Sequence, residues 1–163
     1  MTDRPSLGHH MQALESSVVV RCASPSDYPV IIAVVDHWWG RSVASSLPRL
    51  FLDHFFATSL IAESDGALAG FVIGFHSPSV PEVAYIHFMG VAPEHRGKGL
   101  ARAMYVRFFA QATAAGCSTV RAITSTSNEP SIDFHRNAGF VVSEPVADYN
   151  GPGSHRVIFE RRV

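Results

Sequence analysis

The chain has 163 residues, 47% of them hydrophobic and 17% charged, which suffices for one domain with its own core and excludes a disordered chain. Its formal net charge is −1 and the 13 basic residues are scattered, so the electrostatic footprint of a nucleic-acid binder is missing. Cys22 and Cys117 form no paired spacing, which argues against both a disulfide framework and a zinc site.

The first residues, Met1 to Ser16, are polar and without period and include Gly8-His9-His10, so residues 1–16 are expected to be a flexible N-terminal arm ahead of a single domain over 17–163. They contain no apolar run of the kind a signal peptide needs. No stretch of the chain approaches the roughly 18 apolar residues of a membrane span. A cytoplasmic location without a membrane partner is the expectation.

The β-branched run Ser17 to Cys22 predicts a strand, and Ser24-Pro25-Ser26-Asp27 supplies N-cap and first-turn residues for a helix near Tyr28 to Trp39. A second short helix is predicted over Leu47 to Phe56. Ser59 to Glu63 and Ala67 to Phe75 read as strands joined by Asp65-Gly66, a dipeptide favoured in tight hairpins. Glu82 to Val91 reads as a central strand, with Val83, Tyr85, His87, Met89 and Val91 on one face.

From Gly99 to Ala115 the stripe of Leu100, Met104, Tyr105, Phe108, Phe109 and Ala112 predicts a helix with one buried face, stopped at Gly116. Thr119 to Ile123 is a further strand, Asn128 to Ala138 a short helix, and strands from Phe140 and over Arg156 to Glu160 close the chain. A hairpin opens the sheet and alternation of strand and helix is confined to the middle. The fold class is therefore α/β with a mixed sheet.

Between the central strand and the long helix stands Ala92-Pro93-Glu94-His95-Arg96-Gly97-Lys98-Gly99, which includes the chain's one lysine. Backbone amides at a helix start sit at the positive end of its dipole, and glycines let the chain come close to an oxygen, so a phosphate is the natural guest. A Walker A loop fails on spacing, because Gly97 and Gly99 are one residue apart and Leu100 follows. A Rossmann fingerprint fails at Arg102, where Gly or Ala is needed.

Arg96, Gly99 and Ala101 do fit Arg-x-x-Gly-x-Ala, which resembles the Gln/Arg-x-x-Gly-x-Gly/Ala signature of the GNAT N-acetyltransferases. The run from Asn128 to Phe140 resembles that family's Asn-x-x-Ala-x-x-Phe-Tyr-x-x-x-Gly-Phe motif, with Ser131 in place of Ala and His135 in place of Tyr. The resemblance implies a mostly antiparallel sheet flanked by helices, with two central parallel strands splayed apart. Acetyl-CoA is the implied co-substrate, no metal is implied, and the implied acceptor is the amine of a small molecule or peptide. A homodimer is compatible with it.

Carried over residue by residue, the resemblance implies that the backbones of Met89, Gly90 and Val91 hold the pantetheine. Arg96, Gly97, Lys98, Gly99, Leu100 and Ala101 hold the pyrophosphate, and Asn128, Ser131 and Phe134 line the cofactor. Phe134 reads equally well as a core aromatic. His135 takes the place of a tyrosine that donates a proton to the departing thiolate, unless it caps the helix or stacks in the core.

The chemistry itself asks for a base, since an alkyl amine with a pKa near 10.4 is mostly protonated at pH 7. His87, an unusual residue in an apolar strand, is the leading candidate, against the reading of a satisfied core histidine. Trp38, Trp39, Tyr85 and Tyr149 are candidates for acceptor contact, the tryptophans reading equally well as a packing wedge. A CoA-binding regulatory module with little turnover is the alternative function.

Overall fold

Asp65 and Gly66 adopt positive φ angles of 51° and 78°, and the tight turn they form joins β2 (Leu60–Ser64) to β3 (Ala67–His76). This hairpin belongs to a seven-stranded sheet in the computed structural model, which describes residues 17–163; the arm expected over 1–16 lies outside them. The other strands are β1 (Val18–Cys22), β4 (Val83–Val91), β5 (Thr119–Ser125), β6 (Val141–Val142) and β7 (Arg156–Arg162). Their order is β1-β2-β3-β4-β5-β7-β6, and only the β4–β5 pair is parallel. The mixed, mostly antiparallel sheet expected from the sequence is the one observed.

One helical layer covers each face. The helix expected over Tyr28 to Trp39 is two, α1 (Tyr28–Ile32) and α2 (Val35–Trp39), joined by a tighter turn in which the Val34 amide donates to the Ile31 carbonyl at 3.0 Å. With α3 (Leu50–His54) they bury Ile31, Val35, Trp38 and Leu52 against Ile61, Phe71 and Ile73. On the other face α4 (Leu100–Ala114) and α5 (Glu129–Asn137), with Phe140 just after it, bury Met104, Phe108 and Phe140 against Val72, Ala84, Ile86 and Phe159.

The expected two-residue alternation along β4 breaks at His87. Ile73 pairs with Phe88 and Gly74 with Ile86, so His87 is an extra residue in β4, a β-bulge. Before it, Ala84 and Ile86 face α4 and α5; after it, Phe88 faces α1–α3 while Met89 and Val91 pack toward α4. Met89 and Val91 therefore do not share a face with His87, as strict alternation had predicted. The bulge reverses the phase.

The parallel pairing of β4 with β5 runs only from Val83–Thr119 to Tyr85–Arg121. Beyond it β5 stays bonded to β7 as far as Ser125, while β4, bent at the bulge, stays with β3. The two strands part, leaving a gap between Ile86–Val91 and Ala122–Ser125.

Candidate functional site

The gap opens into a cleft of about 960 Å³, with walls from the end of α2, the second half of β4, the end of β5 and the start of α5. The hydrogen bond from the Ala92 amide to the Ala69 carbonyl sets the phase of the β4 backbone. Main-chain groups alternate along an antiparallel strand, so those of Gly90 are turned to β3 and those of Met89 and Val91 to the gap. Arg96 Nε donates to the Val91 carbonyl at 3.1 Å, which leaves the Val91 amide and both Met89 groups for an extended ligand.

Gly90 thus serves the cleft by its missing side chain. A Cβ there would stand 2.6 Å from the Trp39 ring and 2.9 Å from Phe71. Trp39 instead lies over this strand, stacked on Phe88 with ring centroids 5.0 Å apart, and forms part of the cleft wall.

At the end of β4 the loop runs through Gly97 and Gly99, at φ 71° and 81°, into α4. No side chain caps this helix, and the first bond from inside it is from Ala103 to the Gly99 carbonyl, so the amides of Leu100, Ala101 and Arg102 have no helical partner. Lys98 and both glycines are exposed, whereas the Leu100 side chain is buried and offers the site only its backbone. The Arg96 guanidinium also donates to the Trp38 carbonyl at 2.7 Å, so it ties the loop to α2 as well as carrying charge.

On the α5 side, Asn128 Oδ1 accepts from the Ser131 amide and its Nδ2 donates to Thr124 Oγ1 at 3.0 Å. Asn128 therefore caps α5 and fixes it to β5. Asn128, Ser131 and Phe134 all line the cleft.

His87 lines the cleft from the bulge. Its ring lies flat on Phe51, centroids 3.9 Å apart and planes 2° from parallel, and its Nε2 is 2.7 Å from the Ser46 carbonyl. A carbonyl can only accept, so Nε2 carries the proton and Nδ1 is the lone-pair nitrogen. Burial lowers its pKa, partly opposed by the Ser46 bond. The ring is neutral at neutral pH, with one nitrogen able to accept a proton.

His135 is placed differently from the expectation of a proton donor. It is 5% exposed and stacked on Phe159 at 3.9 Å. Nδ1 is 2.7 Å from the Ser131 carbonyl and therefore protonated, so Nε2 accepts from the Tyr105 hydroxyl at 3.0 Å. Burial pushes the imidazole down to about 4, against the opposing pull of the Ser131 bond. With its one N–H held by a helix carbonyl, the neutral ring forms a buried polar pair with Tyr105, itself pushed up by the same burial, and the two side chains stand at the inner wall of the cleft.

Three acceptor candidates also fall elsewhere. Trp38 is buried in the α1–α3 core against Phe71, 6.0 Å between centroids, because α2 turns adjacent residues to different surroundings. Tyr85 sits beside Phe75, its hydroxyl pushed up to about 12 by burial and by Tyr149, and neither tyrosine lines the cleft. The sequence reading missed Arg41, Ser46, Tyr105 and Arg156, which do line it. Of these only Tyr105 had a signal, and that signal was core periodicity. Among the described residues no three His, Cys, Asp or Glu are grouped to hold a metal, and no helix is long and apolar enough to cross a membrane.

Parted parallel strands leading into an uncapped, glycine-rich helix start define a domain built to take an extended ligand that ends in phosphate. Residues 31–140 match the family model described as the acetyltransferase (GNAT) family, and the chain belongs to that family. It is 33% identical over 82 residues to the L-2,4-diaminobutyric acid acetyltransferase of Virgibacillus pantothenticus, a match that covers 50% of this chain and 52% of that protein. The chain thus spans about half the length of the curated relatives it matches.

Among solved structures, a GNAT-family acetyltransferase from Desulfovibrio desulfuricans superposes with a TM-score of 0.78 at 21% identity, over 90% of this chain and 99% of that one. The diaminobutyrate acetyltransferase of Paenibacillus lautus, solved with L-2,4-diaminobutyric acid and coenzyme A, gives 0.67 at 23% identity over 88% and 95%. At those identities the likeness is one of fold.

Proposed function

We propose that this protein transfers the acetyl group of acetyl-CoA to the amine of a small molecule. The observation that carries the reading is the unpaired β4 edge, where Met89 and Val91 present main-chain groups to the gap and the strand leads directly into the uncapped start of α4. A pantetheine arm has amides that pair with such an edge, and its pyrophosphate suits the Leu100, Ala101 and Arg102 amides beside Lys98. Phe134 and Ser131 close the far wall. The relatives named above, which act on L-2,4-diaminobutyric acid by name, support a small-molecule acceptor. A cytoplasmic setting fits two cysteines that are both unpaired.

His87 is the base in this reading. As the amine nitrogen bonds to the thioester carbonyl carbon, Nδ1 takes one of its protons; the carbon–sulfur bond then breaks, and the thiolate recovers a proton from His87 or solvent. The overall balance is one amide and one thiol, so no separate acid is required. Holding Nε2 on the Ser46 carbonyl keeps the reactive tautomer in place. That both His135 nitrogens are held, by Ser131 and by Tyr105, favours one alternative, a CoA-binding module without turnover.

Thermal melts and thiol release test both readings. CoA at a hundred times its dissociation constant adds about 2.7 kcal/mol, which raises Tm by roughly 5–10 °C in a domain of this size. Thiol release from acetyl-CoA that depends on an added amine establishes turnover. A melting curve unmoved by millimolar CoA refutes the site; a CoA shift without amine-dependent release selects the module.

A further inference from the structure

Among the described residues the cleft is lined by three arginines, Arg41, Arg96 and Arg156, and by no aspartate or glutamate. Arg96 is occupied by the Val91 and Trp38 carbonyls. Arg41 and Arg156 form no ion pair among the described residues; Arg156 bonds only to the carbonyl of neighbouring His155. Of the acidic residues near them in the chain, Asp36 Oδ1 accepts the Val43 and Ala44 amides at 2.7 and 2.8 Å, and Asp148 Oδ1 accepts the Gly153 amide at 2.8 Å.

Both arginines are on the side of the sheet away from α4. Arg41 follows Gly40, which ends α2 beside Trp39. Arg156 opens β7 opposite Ser125; Val157 and Phe159 point into the α4–α5 core, so strand alternation turns Arg156 to the α1–α3 face, the face of His87 and Phe88. Negative charge thus has two places: the glycine loop that follows β4, and, in the cleft itself, Arg41 and Arg156 on the face of the sheet that also carries His87.

Resting on the acetyltransferase reading, we propose that the acceptor carries a carboxylate besides its amine, held by Arg41 and Arg156 while the amine is directed to His87. A guanidinium fork matches a carboxylate in shape and charge. A polyamine would add positive charge to a cleft that has no negative side chain among the described residues to receive it, and so is the disfavoured class.

The test compares each carboxylate-bearing amine with its decarboxylated counterpart: L-2,4-diaminobutyrate with 1,3-diaminopropane, and 4-aminobutyrate with propylamine. The expected kcat/KM is on the order of tenfold to a hundredfold higher for the acid in at least one pair, as for a charge-assisted hydrogen-bonded contact. Arg41→Gln and Arg156→Gln each bring that ratio about tenfold closer to one, chiefly through the acceptor KM. Decarboxylated amines used as well as the acids, or a ratio that neither variant changes, overturns the proposal. Where no acceptor turns over, melts in saturating CoA decide: an added Tm increase from the acid alone supports the carboxylate site, and no added increase from either sinks it. A protein that CoA itself does not stabilise fails at the earlier reading instead.

Discussion

His135 separates a buried hydrogen-bond role from a proton-donor role through the pH dependence of stability. The unfolded chain binds a proton on this imidazole near its ordinary value of 6.5, while burial holds the folded one to about 4. Below 6.5 the unfolded chain therefore binds more protons, and the stability His135 contributes is present above 6.5 and lost as pH falls toward 4. At about 1.4 kcal/mol per pH unit, the loss is about 2 kcal/mol by pH 5 and about 3 kcal/mol by pH 4. His135→Phe keeps the ring stacked on Phe159 but removes the acceptor of the Tyr105 hydroxyl, a residue 2% exposed, at a cost of about 1–3 kcal/mol near pH 7.5. Urea unfolding of both proteins from pH 7.5 to 4 should show the wild type losing this advantage, with the two curves converging below pH 5. Asp27, His76 and His87 titrate in both proteins and cancel in the difference. A gap that stays constant across that range refutes the assignment of a buried, neutral His135.

The same variant should keep its turnover within about tenfold at pH 7.5, whereas a loss of the roughly 10²–10⁴-fold typical of a positioned proton donor would return His135 to the chemistry. His87→Gln retains a donor for the Ser46 carbonyl but has no basic nitrogen, so kcat should fall by about 10²–10⁴-fold. The wild-type profile should drop on the acid side at a pH below 6.5, since burial lowers this imidazole's pKa, and that limb should be missing from the variant's residual rate. Gly99→Val places a β-branched residue at φ 81°, and the CoA-induced rise in Tm should disappear; full CoA affinity in this variant would dismiss the loop as the phosphate site. Gly90→Ala drives a Cβ into Trp39 and Phe71, costing about 1–3 kcal/mol by urea unfolding and raising the acceptor KM as Trp39 is displaced; an unchanged midpoint and KM would show that the wall yields freely.

Much of the fold was legible because it is written in local terms. Asp65-Gly66 between two β-rich runs specifies its hairpin, and the stripe from Leu100 to Ala112 specifies the buried side of α4. The loop motif was readable for the same reason: Gly97 and Gly99 are needed by backbone angles that belong to the loop itself. Sequence alone thus determined the order of elements, the family resemblance and the place where phosphate is expected. What it did not contain was the extra residue at His87, since a bulge is defined only against the partner strand, and one residue of slip exchanged the faces of Met89 and Val91. Nor did it contain the surroundings of the two histidines, His87 in an apolar strand and His135 in a polar helix. Tertiary packing alone gave His87 a carbonyl on one nitrogen and left the other available, and gave His135 a partner on each. It likewise brought Arg41 and Arg156, 115 positions apart in the chain, to one cleft with no acidic side chain among the described residues of its walls. Backbone conformation follows from neighbours in sequence, whereas protonation and charge balance are set by whichever groups folding brings within a few ångströms.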